Sequence, residues 1–257
     1  MNFQTQKRQI GFIAFTLIAV FLLASFPMDA EEGIQTATDA STESIERLFF
    51  FGESTTAHLC RRGGVLDTPS DAMRVLRDES GTRMLDRRIL SSPVLLKSGN
   101  GETKKVSFSD AVKTLTPEHL VLSFGLNGIM GFIRNPQSFT DAYTILIQGI
   151  RNASPNTHII LQSVYPVRAS MGYSVDVDTL NTHIRTLNTW IKELSVQEKT
   201  DFVDTASVLR DQNGALLPQY DAGDGIHLTN EAYRQILSYL STHVSRSRGL
   251  HLKTERM

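Results

Sequence analysis

A serine hydroxyl attacks an acyl carbonyl effectively only when a neighbouring base takes its proton, and a neutral imidazole can do so near pH 7. Three fragments of this chain carry residue types suited to that reaction. Ser54 stands in Gly52-Glu53-Ser54-Thr55-Thr56, directly after the apolar run Leu48 to Phe51. If that run is a parallel strand, Ser54 lies at its carboxyl end, where open α/β sheets bind their ligands. The same serine would serve equally as a helix cap, and the fragment alone favours the cap. Asp224-Gly225-Ile226-His227 precedes a helix-like stretch. An aspartate three residues before a histidine can turn its carboxylate to the imidazole Nδ1 while Nε2 faces outward, the arrangement an acid–base histidine needs. A surface Asp-Gly turn has the same composition. Phe124-Gly125-Leu126-Asn127-Gly128 follows a second strand-like run. Glycines on either side of Asn127 would let the backbone turn and present the side-chain amide to an oxyanion, although Asn-Gly is also a favoured turn pair.

Other residues compete for the same roles. His58 would share a face with Ser54 on a helix starting there, but such a helix should carry it away from the strand end. His119, His158, His183, His243 and His251 have no carboxylate or histidine neighbour at metal-ligand spacing, so no metal and no cofactor is expected. A Gly-x-Ser-x-Gly elbow is absent from the sequence, which argues against the α/β-hydrolase route to this chemistry. The arginines at 61, 62, 74, 77, 83, 87 and 88 could approach an anionic polymer, but the interspersed Asp67, Asp71, Asp78, Glu79 and Asp86 favour a solvated face. Tyr165-Pro166 is a candidate for the cleft wall or for a stiffened loop.

Positioning these fragments requires a scaffold, and the hydropathy pattern supplies one. Apolar runs at Leu48 to Phe51, Leu120 to Phe124, His158 to Val164 and Phe202 to Val203 predict buried parallel strands. Helical spacing predicts helices over Ser138 to Asn152, Val177 to Leu194 and Asn230 to His243, with Thr229 as N-cap of the last. Strands alternating with helices predict an α/β sheet covered on both faces. The arginine-rich stretch from Arg61 to Val106 reads as irregular structure or a small hairpin.

With 257 residues, the chain is long enough for one α/β domain of about 200 residues plus appendages. Its 26 Lys and Arg against 27 Asp and Glu leave no global field to attract nucleic acid. A single cysteine, Cys60, excludes an internal disulfide framework. Lys7 and Arg8 precede an uncharged apolar run from Gln9 to Met28 that ends at Asp29, Glu31 and Glu32. That charge order predicts a signal peptide or membrane anchor over residues 1–30, with an uncleaved anchor favoured and everything downstream outside the cytoplasm. A solvated linker over 31–44, a catalytic domain over 45–245 and a frayed basic tail over 246–257 complete the expected organisation.

Taken together and in this order, Gly52-Glu53-Ser54, Gly125-Leu126-Asn127-Gly128 and Asp224 to His227 make the chain resemble the SGNH, or GDSL-like, serine hydrolases of the bacterial extracytoplasmic type. The resemblance implies a three-layer flavodoxin-like α/β fold with a central parallel sheet flanked by helices. It also implies Ser54 as nucleophile, His227 as general base and Asp224 as the residue holding the imidazole. Its oxyanion hole would use the Ser54 N–H, the Asn127 amide and a glycine N–H, with Gly81 favoured over Gly63, Gly64, Gly99 and Gly101. Two residues depart from the family pattern. Glu53 replaces an aspartate, which would alter the turn geometry, and Gly128 replaces the aspartate after the asparagine, removing a support of that loop. The implied activity is an extracytoplasmic esterase acting on O-acyl, chiefly O-acetyl, groups of a small molecule or cell-surface polysaccharide. An O-acyltransferase, a lipase-like esterase, or a binding module without turnover remain open alternatives at this point.

Overall fold

Each central strand alternates between two apolar layers, and that alternation sets the architecture. In β1 (Leu48–Gly52), Leu48 and Phe50 face one core while Phe51 faces the other. In β5 (His119–Ser123), Val121 joins the first core, and Leu120 and Leu122 join the second. β6 (His158–Gln162) divides likewise, Ile160 against Ile159 and Leu161. With both faces apolar, the sheet must be covered twice. The computed structural model, described here for residues 45–60, 65–66, 68–78, 84–97, 102–170 and 172–254, shows how.

Five parallel strands lie in the order β2-β1-β5-β6-β7, with β2 at Val75–Leu76 and β7 at Asp201–Val203. One core is closed by α3 (Phe108–Leu115), α5 (Pro136–Ala153) and α6 (Val177–Gln197), and the other by α7 (Asn230–Thr254). Short helices α1 (Ser54–Ala57), α2 (Pro69–Ala72) and α4 (Ile129–Arg134) fill the connections. An antiparallel hairpin, β3 (Pro93–Lys97) with β4 (Thr103–Ser107), leads into α3. This is the expected flavodoxin-like order. The chain passes from β1 outward to β2 and then returns to the other side of β1, so the switch point falls between β1 and β5. Gly52 pairs with Ser123 in that register, so the two strands end level.

The four predicted strands and three predicted helices are present, with three differences. The stretch from Arg61 to Val106 contributes an edge strand as well as the hairpin. Arg74, expected on a solvated face, is buried and donates to Ile45 O at 2.6 Å, Leu48 O at 3.1 Å and Asp71 Oδ1 at 2.5 Å, fastening α2 to the start of β1. The last helix runs on through Thr254 rather than ending at His243. Among the described residues no helix is long and apolar enough to cross a membrane. The run Gln9 to Met28, the linker at 31–44 and the glycines at 63, 64, 81, 99 and 101 lie outside those residues.

Candidate active site

Where β1 ends, the chain has no room for a side chain. A Cβ on Gly52 would lie 2.4 Å from Ser123 O and 2.2 Å from Thr56 Oγ1, so glycine is what lets β1 and β5 close together there. Ser54 follows as the first residue of α1, half-buried, with its N–H in the first turn where no helical carbonyl can accept it. The helix is tied to α7 by Tyr233, whose hydroxyl donates to Thr55 O at 2.7 Å.

The histidine arrives on a turn built from two aspartates. Asp221 Oδ1 accepts from the Gly223 and Gly225 amides, each at 2.8 Å. Asp224 Oδ1 accepts from Ile226 N at 3.0 Å and His227 N at 2.7 Å, while Asp224 Oδ2 lies 2.6 Å from His227 Nδ1. The ring is thereby aimed, and His227 Nε2 lies 3.1 Å from Ser54 Oγ. Partial burial opposes ionisation of Asp224, but the hydrogen bonds from the His227 ring and from the His227 and Ile226 amides outweigh it and bring the carboxyl down to about 2. Asp224 is therefore an acceptor at neutral pH. That assigns the proton on the ring to Nδ1 and leaves Nε2 facing the serine as the acceptor. Thr229 caps α7, with Ala232 N donating to its hydroxyl at 3.3 Å, and so fixes the turn to the helix behind it.

Glu53 does more than shape a turn. Its side chain is buried, with Oε1 accepting from Gly125 N at 2.9 Å and Asn127 N at 3.0 Å, and Oε2 accepting from Leu126 N at 3.1 Å. One carboxyl group thus holds three successive amides of the loop after β5 and seats Asn127 beside the serine's strand end. Burial pushes that carboxyl up to about 8 against the pull of the three amide donors. Because the three amides are committed to Glu53, the Asn127 side chain is the loop's candidate donor to an oxyanion. Gly128, the other departure, has φ +90° and caps α4 in the left-handed region, which a side chain enters only at a cost. The support expected from an aspartate at this position comes instead from Glu53.

The structure thus brings Ser54, Asp224 and His227 into one hydrogen-bonded line, with the Glu53-held loop alongside. Gly81 cannot be placed, since it lies outside the described residues. His58 is nearer than its sequence position suggests. The helical backbone continues through His58, whose N–H donates to Ser54 O, so His58 sits one turn beyond Ser54 and its ring lies 4.5 Å from that of His227. Tyr165 is buried in the core and bonded to Gln162 rather than exposed on a cleft wall. Sequence reasoning missed the grip of Glu53, for which the one available signal was its position beside Ser54.

Comparison with known proteins matches this arrangement. The profile of the GDSL-like Lipase/Acylhydrolase family fits residues 50–235, which take in the serine, the Glu53-held loop and the Asp224–His227 turn. The chain belongs to the GDSL-like lipase/acylhydrolase family. No curated protein matches the chain. Among solved structures, one from Streptococcus pneumonia, provisionally assigned as a platelet activating factor, is 17% identical with a TM-score of 0.51, over 84% of this chain and 99% of that one. It shares the fold. A GDSL-like lipase from Bacteroides thetaiotaomicron VPI-5482 is 19% identical over 83% of this chain and 97% of its own, with a TM-score of 0.49. A peptidoglycan O-acetylesterase is 11% identical over 83% and 95%, also at 0.49. Membership of this acylhydrolase family makes the chain a hydrolase.

Proposed function

We propose that this GDSL-like hydrolase is an extracytoplasmic serine esterase that removes O-acyl groups, chiefly O-acetyl, from a polysaccharide through an acyl-Ser54 intermediate. The observation that carries the reading is the unbroken line from Ser54 Oγ to His227 Nε2 at 3.1 Å and from His227 Nδ1 to Asp224 Oδ2 at 2.6 Å. In this mechanism His227 Nε2 takes the Ser54 proton as Oγ bonds to the ester carbonyl carbon, and Asp224 holds the imidazolium that forms. The negative charge on the carbonyl oxygen faces the Ser54 N–H and the Asn127 amide, each such donor contributing about 3 kcal/mol to the transition state. Collapse returns the proton to the departing alkoxide and leaves Ser54 acylated. A water deprotonated by the same histidine then attacks the acyl carbon and releases the acid. The extracytoplasmic setting rests on the charge order around Gln9 to Met28, Lys7 and Arg8 before it and Asp29, Glu31 and Glu32 after it.

The test is covalent labelling. The purified full chain should react with a fluorophosphonate probe, and Ser54→Ala should not. A folded wild type that resists the probe would refute the assignment. Release of acetate from acetylated glycans, set against p-nitrophenyl esters of graded chain length, then ranks the substrate classes. A preference for long acyl chains would replace the O-acetyl reading with a lipase-like one.

A further inference from the structure

The segment Val164 to Ala169, which follows β6, forms one wall of the triad region. A Cβ on Gly125 would lie 2.8 Å from Val164 Cγ2, and the Arg168 and Ala169 amides donate to Gly225 O, inside the Asp224–His227 turn, at 2.6 and 3.2 Å. On its other side the strap is held by α6. Asn188 bonds Val164 N at 2.7 Å and O at 3.0 Å, and Asn181 bonds Val167 N and O, each at 2.9 Å. One strap therefore separates the triad from the exposed face of α6.

Along that face runs a groove of about 570 Å³ between α6 and the loop after β7, at the same end of the sheet as Ser54. Its charges do not cancel locally. The lining carries Arg185, Lys192 and Arg210 against Asp204 and Asp211; Asp204 pairs with Arg210 at 3.2 Å, and Asp211, which keeps its charge, is turned to its own loop, Oδ1 accepting from Asn213 N at 2.8 Å and Ala215 N at 3.0 Å. Arg185 and Lys192 remain. Asn181, Arg185, Asn188 and Lys192 recur at steps of four, three and four, so the two cations share a helix face with the two asparagines that clamp the strap. Arg185 is seated against the turn at Gly214, where a Cβ would lie 2.7 Å from its Nη1. Arg168, exposed on the strap itself, is the cation next to the triad turn. Among the described residues none of Arg168, Arg185 and Lys192 pairs with a carboxylate.

We propose that Arg168, Arg185 and Lys192 form an anion-binding strip that holds an acidic polysaccharide along α6 while an O-acyl group of the same polymer lies at Ser54. The proposal rests on the esterase reading above and names its substrate class. Guanidinium forks match carboxylates and phosphodiesters alike, so the recognised chemistry is a repeated anion on a sugar-based polymer. Binding through solvent-exposed cations is screened by salt, with a Debye length of about 8 Å at physiological ionic strength.

Two measurements on the full chain test it, both on wild type and on the combined Arg168→Gln, Arg185→Gln and Lys192→Gln variant. The first is the ratio of kcat/KM for an O-acetylated polyuronate to that for a neutral acetylxylan. The ratio should fall at least tenfold in the variant, through KM rather than kcat, and wild type should lose the same preference in 0.5 M salt, roughly the ionic strength where the Debye length falls below about 5 Å. The second is calorimetric binding of unacetylated polyuronate and of poly(glycerol phosphate), which reads the strip without turnover and tells carboxylate from phosphodiester. An unchanged ratio, or an equal loss on the neutral polymer, overturns the strip. If the fluorophosphonate probe fails to label Ser54, the esterase reading fails instead, and the binding isotherms alone decide: loss of affinity in the variant upholds the strip, and no binding by wild type ends it.

Discussion

Asp224 meets His227 twice, at the ring and at the amide, and meets Ile226 once more between them. Replacing it with asparagine would put an amide N–H or a weaker acceptor against Nδ1 and favour the wrong tautomer. Asp224→Asn should therefore lower kcat by roughly three to four orders of magnitude with KM little changed, as read from steady-state hydrolysis of p-nitrophenyl acetate. Asn127→Ala removes a donor to the oxyanion and should lower kcat by roughly two to three orders of magnitude while leaving fluorophosphonate labelling detectable. An equal rate in either variant would remove that residue from the mechanism. The aspartate and histidine were legible in the sequence because their contact is local, three residues apart. Glu53 was legible as a departure but not as a clamp. Its partners lie 72 to 74 residues away, and the sequence shows an added methylene without the loop it reaches. The gap between Arg168 and Gly225 hid the strap in the same way.

Strands buried on both faces read as continuous apolar runs, which is why β1, β5, β6 and β7 could be found before their partners were known. β2 could not, since Val75–Leu76 is too short to carry a pattern and sits among charged residues. For α3 a signal was there to be found. Ser107 Oγ accepts from Asp110 N at 3.0 Å and donates to Asp110 Oδ2 at 2.6 Å, ahead of Phe108, Ala111 and Val112 on the buried face, a capping pattern visible in the sequence. At the start of α4, Gly128 shows why restoring a family residue is not always a repair. A side chain there would enter φ +90° and crowd Met84, whose Sδ lies 2.8 Å from the ideal Cβ position. Gly128→Asp should therefore destabilise the protein by about 1 to 2 kcal/mol in urea titrations, and a gain in stability would contradict this account of the loop.

For the molecule as a whole, the buried Glu53 couples folding to pH. Below 4.5, the ordinary glutamate value, the carboxyl is protonated in both folded and unfolded chains, and its contribution is fully present. Between 4.5 and about 8 the unfolded chain has released the proton while the folded chain keeps it, so stability must fall as pH rises. Relative to Glu53→Gln, wild type should lose up to about 1.4 kcal/mol per pH unit across that window, measured by urea denaturation at pH 5, 6.5 and 8. A flat difference would mean that the carboxyl is ionised on folding. Asp224, brought down to about 2, acts in the opposite sense, and its contribution is lost only as pH falls below 3.8. The order of the parts along the chain has a consequence in time. Ser54 and His227 are 173 residues apart, and the histidine's turn is anchored by the N-cap of the last helix. A polypeptide emerging N-terminus first from a ribosome displays its serine long before the imidazole exists to activate it. The serine is thus chemically silent until the last helix and the turn before it have been made and folded onto the first strand.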